Sequence, residues 1–180
     1  MPAPAAYRFC PPCGGPLSSR VIKAGEPARL VCDTCGFVMY LNPKLAACAI
    51  TAVDGRIVLL RRGIDPERGK WAFPGGFVDR GETAAGAAER ETREEVHLLV
   101  EAQDLVGVYS YPGNEVVVVV YAARLVSGEP CIGDECLEVR TFPPQEIPWA
   151  DLAFRSTRDA LGDYVRRFFH FEPVLPPVPA

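Results

Sequence analysis

Three carboxylates fall within one helical turn of a single segment. Glu91 and Glu95 are four residues apart, and Glu94 lies beside them. A helix turning about 100° per residue would bring all three onto one strip, where unpaired like charges repel each other. Hard divalent cations such as Mg²⁺ or Mn²⁺ prefer oxygen-rich clusters of this kind, usually with substrate phosphates completing the coordination shell. The spacing therefore predicts either a divalent metal site or, as the commoner alternative, an exposed acidic helix face.

Four of the seven cysteines form two Cys-x-x-Cys pairs that are separated by eighteen residues. The members of these pairs are Cys10, Cys13, Cys32 and Cys35. Two residues between thiolates let both point at one tetrahedral ion, and two such pairs complete a closed shell. Each pair is followed by a glycine, Gly14 or Gly36, which adopts the positive φ of a knuckle turn at little cost. We predict a structural Zn²⁺; free or redox-active thiols, or an iron-binding ribbon, are the alternatives.

The composition limits which classes of protein are possible. The chain has 180 residues, of which 48% are hydrophobic and 23% charged, so it can build one full domain beside a small module. The net charge of −4 argues against a basic nucleic-acid-binding surface. The longest apolar run, Val116–Ala123, is too short to cross a bilayer. The odd number of cysteines and the lack of a secretory signal pattern lead us to expect reduced thiols and a cytoplasmic protein.

The glutamate strip lies in a segment that has the pattern of an α/β domain. Apolar runs at Ala46–Val53 and Ile57–Leu60 predict two strands, and Asp54-Gly55 between them is a hairpin signal. Apolar residues at helical spacing over Thr83–Val96 predict a helix with Thr83 as its N-cap. This helix is the element that must position the carboxylates.

The rest of the chain predicts a loop, more strands and a last helix. A polar loop rich in glycine and proline covers Gly63–Gly81. Further strands are predicted at Leu105–Tyr109, Val116–Leu125 and Cys136–Phe142. Ser156, with Asp159 three residues later, is similar to a capping box and would open the last helix. The predicted domains are a zinc ribbon over residues 1–44, an α/β domain over 45–172 and a proline-rich tail over 173–180.

The segment from Gly76 to Leu98 resembles the Nudix box, G-x5-E-x7-R-E-U-x-E-E-x-G-U, in which U is a bulky apolar residue. The charged positions of the motif are occupied by Glu82, Arg90, Glu91, Glu94 and Glu95. The preceding run, Trp71–Gly76, is also similar to the family's approach to the box. Two positions depart: Thr92 replaces an apolar residue, and His97 replaces the glycine of a left-handed helix cap, a conformation that histidine enters at modest cost.

The resemblance implies an α/β fold of the Nudix type, an α/β/α sandwich with a mixed sheet, preceded by a small zinc ribbon. It also implies hydrolysis of a diphosphate linkage by metal-activated water. Carried over by motif position, Glu91 and Glu95 would be direct ligands of Mg²⁺ or Mn²⁺. Glu94 would be a further ligand or would orient the water, and an ion pair between Glu82 and Arg90 would fix the loop to the helix.

The same resemblance implies ligands from outside the helix. The carbonyl of Gly75 would bind the metal, and many members add a carboxylate from a later loop. Glu135 matches that place best, with Glu138 and Glu115 as open alternatives.

The pairing of a four-cysteine ribbon with a Nudix domain is similar to the NADH diphosphatase branch and to its relatives that cleave FAD or ADP-ribose. Of the signature S-Q-P-W-P-F-P-x-S of the NADH branch, the window Val108–Val116 keeps only the aromatic-proline step Tyr111-Pro112. This favours FAD or ADP-ribose over NADH, with release of AMP and a second monophosphate. Tyr40 and Phe77 would stack on the substrate base, although core packing is the commoner role of a single aromatic residue.

The resemblance also favours a homodimer that acts on a small nucleotide. A rival from another class is a ribbon module that binds protein or RNA and carries a non-hydrolysing Nudix domain.

Overall fold

The computed structural model describes residues 7–173, which belong to two compact units. The first unit extends to Asn42, and the second begins at Pro43. Of the proline-rich tail predicted over 173–180, only Pro173 is among the described residues. No helix among the described residues is long and apolar enough to cross a membrane.

The first unit is a small antiparallel sheet of three strands in the order β1-β2-β3. These strands are β1 (Leu17–Arg20), β2 (Arg29–Cys32) and β3 (Val38–Met39). Its buried apolar residues are Cys10, Leu30, Val31 and Cys32. A core of this size cannot stabilise an independent fold, and modules of this kind depend on a metal or on disulfides.

The second unit is built on a mixed sheet in the order β10-β5-β4-β9-β8, to which two short strands, β6 and β7, add at β5 and β4. The strands are β4 (Lys44–Val53), β5 (Arg56–Arg62), β6 (Trp71–Ala72), β7 (Gly75–Phe77), β8 (Leu99–Tyr109), β9 (Val116–Ser127) and β10 (Cys136–Phe142). Strands β4 and β9 pair in parallel, whereas the other paired strands are antiparallel. The helices are α1 (Ala84–Val96) and α2 (Arg155–Phe169), with 3-10 turns at Pro144–Glu146 and Trp149–Asp151.

The alternation of side chains along β4 produces the two apolar cores. Cys48 and Ile50 pack in the core that contains Leu161 and Val165 of α2. Ala47 and Ala49 pack in a second core with Ala87, Ala88 and Val96 of α1. Because successive residues of a strand point to opposite faces, α1 and α2 lie on opposite sides of the sheet. The predicted α/β/α sandwich with a mixed sheet is confirmed.

Local signals in the sequence placed the hairpin and the carboxylate helix correctly. Asp54 and Gly55 have φ of 50° and 73°, as a tight hairpin requires. The Thr83 hydroxyl accepts a hydrogen bond from the backbone N–H of Gly86 at 3.0 Å, so Thr83 is the N-cap of α1. His97 has φ 56° and ψ 25°, the left-handed conformation expected for the position after this helix.

Three expectations about elements were wrong. The segment predicted as a loop, Gly63–Gly81, contains strands β6 and β7, which pair with β5 and β4. Strand β8 begins at Leu99, six residues before the predicted start, because its pairing with β9 continues through polar positions. Helix α2 has Phe154 rather than Ser156 as its N-cap, and Phe154 makes no side-chain capping hydrogen bond.

Candidate active site and zinc centre

The four paired cysteines of the first unit form a site for one tetrahedral ion. Their Sγ atoms all lie within 4.8 Å of one another. The Sγ atom of Cys13 is 3.5 Å from that of Cys32 and 3.4 Å from that of Cys35, and the Cys10 and Cys35 sulfurs are 3.7 Å apart. A tetrahedron with Zn–S bonds of ~2.3 Å has edges of about 3.8 Å, so the spacing fits zinc. These separations are far longer than the ~2.05 Å of a disulfide.

Backbone N–H groups support the thiolate form of these ligands. The N–H of Cys35 donates to Cys32 Sγ at 3.4 Å, and the N–H of Gly15 donates to Cys13 Sγ at 3.4 Å. The bond from Cys35 lowers the pKa of Cys32 to about 6, whereas burial raises the pKa of Cys10. At Cys13 the Gly15 N–H lowers the pKa, but the hydrogen bonds with Cys35 and Cys32 outweigh this effect and raise it. Zn²⁺ binds cysteine as thiolate, so Cys32 is prepared for the metal, and Cys10 and Cys13 would release their protons on binding it.

Glu91 and Glu94 of α1 share one arginine with Glu82 of the preceding loop. Arg90 Nε donates to Glu82 Oε1 at 2.7 Å, which confirms the predicted ion pair. Arg90 Nη1 also donates to Glu91 Oε1 at 2.8 Å and to Glu94 Oε2 at 3.0 Å. The guanidinium therefore offsets the repulsion within the carboxylate strip and links it to the loop before α1.

Glu95 is the carboxylate least accessible to water, with 9% of its surface exposed. One of its oxygens, Oε2, accepts a hydrogen bond from the backbone N–H of Gly75 at 2.8 Å. Burial raises the pKa of Glu95 to about 8, and the charge of Glu91 adds to this increase. Burial is also the main reason why the pKa of Glu91 is raised. A divalent cation would supply the positive charge that these buried carboxylates lack.

The Gly75-Gly76 pair lets a strand approach the carboxylates closely. Gly75 has φ +155°, and a Cβ atom there would lie 2.3 Å from Cys48 Sγ. A Cβ atom at Gly76 would lie 2.4 Å from Glu91 Oε1. Gly75 requires glycine because a Cβ atom there would meet the backbone and side chain of Cys48, whereas a Cβ atom at Gly76 would displace the Glu91 carboxylate. Gly75, whose carbonyl was predicted as a ligand, is thus adjacent to Glu95.

The loop before β10 brings Glu135 to the same site. The N–H groups of Gly133 and Asp134 donate to the carbonyls of Glu95 and Glu94 at 2.9 and 3.1 Å, and the Glu135 carbonyl accepts from Gly63 N–H at 2.6 Å. The charge of Glu135 contributes to the raised pKa of both Glu91 and Glu95.

The other carboxylates considered for this role lie elsewhere. Glu138 forms ion pairs with Arg61 and Arg140. Neither Glu138 nor Glu115 lines the cavity that contains Glu135.

A cavity of about 820 Å³ opens over the carboxylates. Its lining includes Glu91, Glu94, Glu95 and Glu135 together with the aromatic residues Phe73, Phe77, Tyr111 and Phe154. Phe77 is 51% exposed, and Lys44 Nζ lies 5.3 Å from its ring centroid. Phe77 is therefore an exposed ring of the cavity wall rather than part of the core, and Lys44 lies over one of its faces. Tyr40 belongs to the first unit, where it is 60% exposed with the Arg29 guanidinium 5.2 Å from its ring centroid.

Sequence reasoning missed the basic side of this cavity. Arg62 and Arg155 both line it, and their guanidinium groups lie over the rings of Phe154 and Tyr111 at 5.0 and 4.4 Å. Neither arginine belongs to a spaced motif, so only the fold brings them to the carboxylates. In the sequence Tyr111 is only the remnant of a signature, and in the structure it lies in the cavity wall.

The two departures from the box have local explanations. Thr92 is fully buried, and its hydroxyl donates to the carbonyl of Ala88 at 2.7 Å, so the helix satisfies the polar group. The backbone N–H of His97 donates to the Arg93 carbonyl at 3.1 Å, as a left-handed cap should. Neither change removes a carboxylate from the site.

Comparison with known proteins assigns the chain to a family. A family profile described as "NUDIX domain" matches residues 42–162, and a second, described as "Nudix N-terminal", matches residues 8–41. The chain belongs to the Nudix family. It is a Nudix hydrolase of the diphosphatase type, with an N-terminal four-cysteine zinc ribbon.

Similar proteins include Nudix hydrolases of two kinds. Over 132 residues, 71% of this chain and 76% of the relative, the chain is 36% identical to an ADP-ribose pyrophosphatase of Methanocaldococcus jannaschii. Over 173 residues, it is 29% identical to the NAD-capped RNA hydrolase NudC of Pseudomonas fluorescens, a match that spans 94% of this chain but 60% of that relative. The crystal structure of a Nudix hydrolase from Nitrosomonas europaea matches with a TM-score of 0.86 and 38% identity, covering 94% of this chain and 97% of that one.

Proposed function

We propose that this Nudix hydrolase uses Mg²⁺ or Mn²⁺ to cleave the diphosphate linkage of a nucleoside diphosphate derivative, releasing AMP and a second monophosphate. ADP-ribose and FAD are the favoured substrates, and NADH follows them. The observation that carries the proposal is the buried Glu95 beside Glu91 and Glu135 in an 820 Å³ cavity with aromatic and arginine walls. Such a cavity suits a nucleotide whose phosphates meet the carboxylates and whose base meets an aromatic ring.

Glu91 and Glu95 would hold the metal directly, and Glu94, Glu135 and the Gly75 carbonyl are the further ligands that we propose. The bound cation would neutralise phosphate charge and lower the pKa of water. The protein fixes its own groups in advance: Arg90 bridges Glu91 and Glu94, and the Gly75 N–H orients Glu95. Glu94, whose side chain is 45% exposed, is accessible enough to orient a water molecule.

Two observations support the ranking of substrates. The relative with 36% identity is named an ADP-ribose pyrophosphatase, and it matches most of the chain. The window Val108–Val116 lacks most of the NADH signature, although Tyr111 from this window lines the cavity. Of the aromatic residues proposed to stack on the base, Phe77 lines the cavity as well, and Tyr40 is an exposed residue of the first unit.

Hydrolysis of NAD-capped RNA is a second candidate function. The NudC relative matches 94% of this chain, including the ribbon. The net charge of −4 provides little general attraction for an RNA backbone, so we place this activity behind the small nucleotides.

A panel of substrates tests both functions. Purified enzyme with Mg²⁺ or Mn²⁺ is assayed on ADP-ribose, FAD, NADH, NAD⁺, CoA, diadenosine polyphosphates, nucleoside triphosphates and NAD-capped RNA, and values of kcat/KM are compared. We expect ADP-ribose or FAD to lead. A kcat/KM for NADH or capped RNA at least tenfold above both, equivalent to about 1.4 kcal/mol, would reverse the ranking. Absence of hydrolysis across the panel would favour the rival reading as a binding module.

We also propose that the protein is a cytoplasmic homodimer. Light scattering after gel filtration would give twice the chain mass of 19.6 kDa if this is correct. A monomer at micromolar concentration would contradict it.

A further inference from the structure

The last helix opens onto the cavity with an N-terminus that the protein leaves uncapped. Helix α2 follows Phe154, whose side chain makes no capping hydrogen bond, and its first turn contains no acidic residue. The first N–H groups of a helix lack acceptors within the helix and carry its partial positive charge. Residues 154–157 all line the cavity that contains the carboxylates. The positive end of α2 therefore borders the space where the substrate is expected.

Arg155 places a cation where helix electrostatics favours an anion. It is the first residue of α2, and a positive charge there opposes the helix dipole. Its guanidinium lies 4.4 Å from the ring centroid of Tyr111, and its Nε donates to Asp159 Oδ2 at 3.4 Å. The Tyr111 hydroxyl donates to the same carboxylate oxygen at 2.8 Å. These contacts hold the guanidinium at the cavity wall, where the Asp159 carboxylate offsets part of its charge and an anion bound in the cavity would offset the rest.

Thr157 is a second, independent indication of a ligand. It lines the cavity although only 2% of its surface is exposed. No hydrogen bond of its hydroxyl is found within residues 7–173, and the hydroxyl oxygen is not among the fully buried unpartnered side-chain atoms of these residues, so it faces the cavity. A hydroxyl at a cavity wall is normally matched by a partner from water or from a ligand. A ligand oxygen in the cavity would be such a partner.

Arg62 connects this helix end with the carboxylates. Its guanidinium carbon lies 5.0 Å from the ring centroid of Phe154, the residue that precedes α2. Arg62 lines the same cavity as Glu91 and Glu95. The helix end and the carboxylates therefore face one continuous space, and a single small substrate can contact both.

We propose that the N-terminus of α2 is an anion subsite that binds one phosphate group of the substrate. The ligating groups are the backbone N–H groups of Ser156 and Thr157, the Thr157 hydroxyl and the Arg155 guanidinium. The inference rests on the proposed function for the identity of the anion as a phosphate of the nucleotide. Of the two phosphates that flank the cleaved linkage, one would meet the cation held by the carboxylates, and the other would be bound by the N-terminus of α2.

The test is binding of inorganic pyrophosphate to the full-length protein in EDTA, measured by calorimetry, so that the catalytic metal does not contribute. We expect Arg155→Gln and Thr157→Val each to weaken binding by about tenfold, the size of one charge-assisted or buried hydrogen bond. Thr157→Ser, which keeps the hydroxyl, should bind within about threefold of wild type. The matched control is Arg166→Gln, because Arg166 is on the same helix but pairs with Asp163 and does not line this cavity. It should change binding by less than about twofold.

The outcomes separate this inference from the proposed function. If wild-type protein does not bind pyrophosphate, or if Arg155→Gln and Thr157→Val bind it as wild type does, the subsite is wrong even when hydrolysis is normal. If pyrophosphate binding behaves as expected but no nucleotide in the panel is hydrolysed, the subsite stands and the proposed function fails. In the active enzyme, KM for the best substrate should rise in both variants by a larger factor than kcat falls.

Discussion

The two units of the chain hold their metal ligands in different ways. In the first unit four sulfur atoms converge within 4.8 Å, and across residues 7–173 no other group of three or more histidine, cysteine or acidic residues converges as closely. In the second unit Arg90 lies between Glu91 and Glu94, and Glu95 is bonded to a backbone N–H. The thiols are hydrogen-bonded to one another and to two backbone N–H groups, whereas Glu91, Glu94 and Glu95 are held by Arg90 or by the N–H of Gly75.

This difference follows from what stabilises each unit. The first unit buries four apolar residues, two of which are cysteines of the site. The stability of its fold therefore depends on binding of the metal. The second unit has two apolar cores, one on each side of the sheet, and these maintain the fold without a metal. A site that does not have to hold the fold together can keep positions for substrate and water.

The largest expected effect is the loss of the ribbon when one of its ligands is removed. Cys32→Ser should abolish zinc binding and unfold the first unit, because a structural zinc contributes on the order of 10–16 kcal/mol to small modules. Elemental analysis should find about one zinc per wild-type chain and much less in the variant, and hydrogen exchange should show residues 8–41 unprotected. Cys131→Ser, at an exposed cysteine outside the site, should keep its zinc. If wild-type protein isolated without chelator contained no zinc, the view that the first unit depends on a metal would be wrong.

The second effect is catalytic and should leave the fold intact. Glu91→Gln and Glu95→Gln keep the hydrogen-bond acceptors for Arg90 and Gly75 but remove the charge that holds the cation. We expect kcat to fall by about 10²–10⁴ while the circular dichroism spectrum is unchanged.

The control for these two variants lies on the same helix. Glu89 accepts a hydrogen bond from the backbone N–H of Ala102 at 2.9 Å, and the amide oxygen of glutamine can keep this bond. Glu89→Gln should leave kcat within about threefold. Equal losses at Glu89 and Glu91 would show that the position on the helix does not matter. Full Mg²⁺-dependent activity in both Glu91→Gln and Glu95→Gln would place the metal site elsewhere.

The third prediction concerns the stability of the metal-free second unit as a function of pH. The pKa of Glu95 rises from an ordinary value of 4.5 to about 8 on folding. Between these values the folded state binds the extra proton, so the contribution of Glu95 is complete below pH 4.5 and is lost as the pH rises through 8. Thermal unfolding in EDTA should therefore show a higher Tm at pH 5.5 than at pH 8.5. Glu95→Gln should reduce this difference in Tm. If the difference is unchanged in the variant, groups other than Glu95 cause it.

The smallest effect is expected at the late loop. Glu135→Gln should lower kcat by about tenfold, because Glu135 acts on the site through charge but is not part of the strip on α1. Glu138→Gln serves as the competing variant, since Glu138 pairs with Arg61 and Arg140 instead. A larger loss of kcat in Glu138→Gln than in Glu135→Gln would show that Glu138, and not Glu135, acts on the site.

The parts that were predictable from sequence are those fixed by local chemistry. The Thr83 cap, the Asp54-Gly55 turn and the four-cysteine cluster each depend on a few neighbouring residues. The ion pair between Glu82 and Arg90 could be predicted because a long motif specifies both residues.

The parts that were not predictable depend on distant residues. Strand β7 has the composition of a loop, and only its pairing with residues 46–48 of β4 makes it a strand. Ser156 has the residue type of an N-cap, but the helix begins one residue earlier, where Arg155 stacks on Tyr111. The arginines of the cavity wall are separated by more than ninety residues, and no spacing rule connects them.

The loop that carries Glu135 limits how this enzyme can diverge. Its backbone is fastened to the last carbonyls of α1, and a side chain at Gly133 would lie 2.1 Å from the Glu94 carbonyl oxygen. An insertion of one residue would detach Gly133 and Asp134 from these carbonyls and move Glu135 away from the site. Point substitutions at 134 and 135 leave the backbone bonds in place. Lineages descended from such a protein can therefore change the side chain at 135, where φ is 60° and β-branched residues are disfavoured, but they inherit the length of the loop.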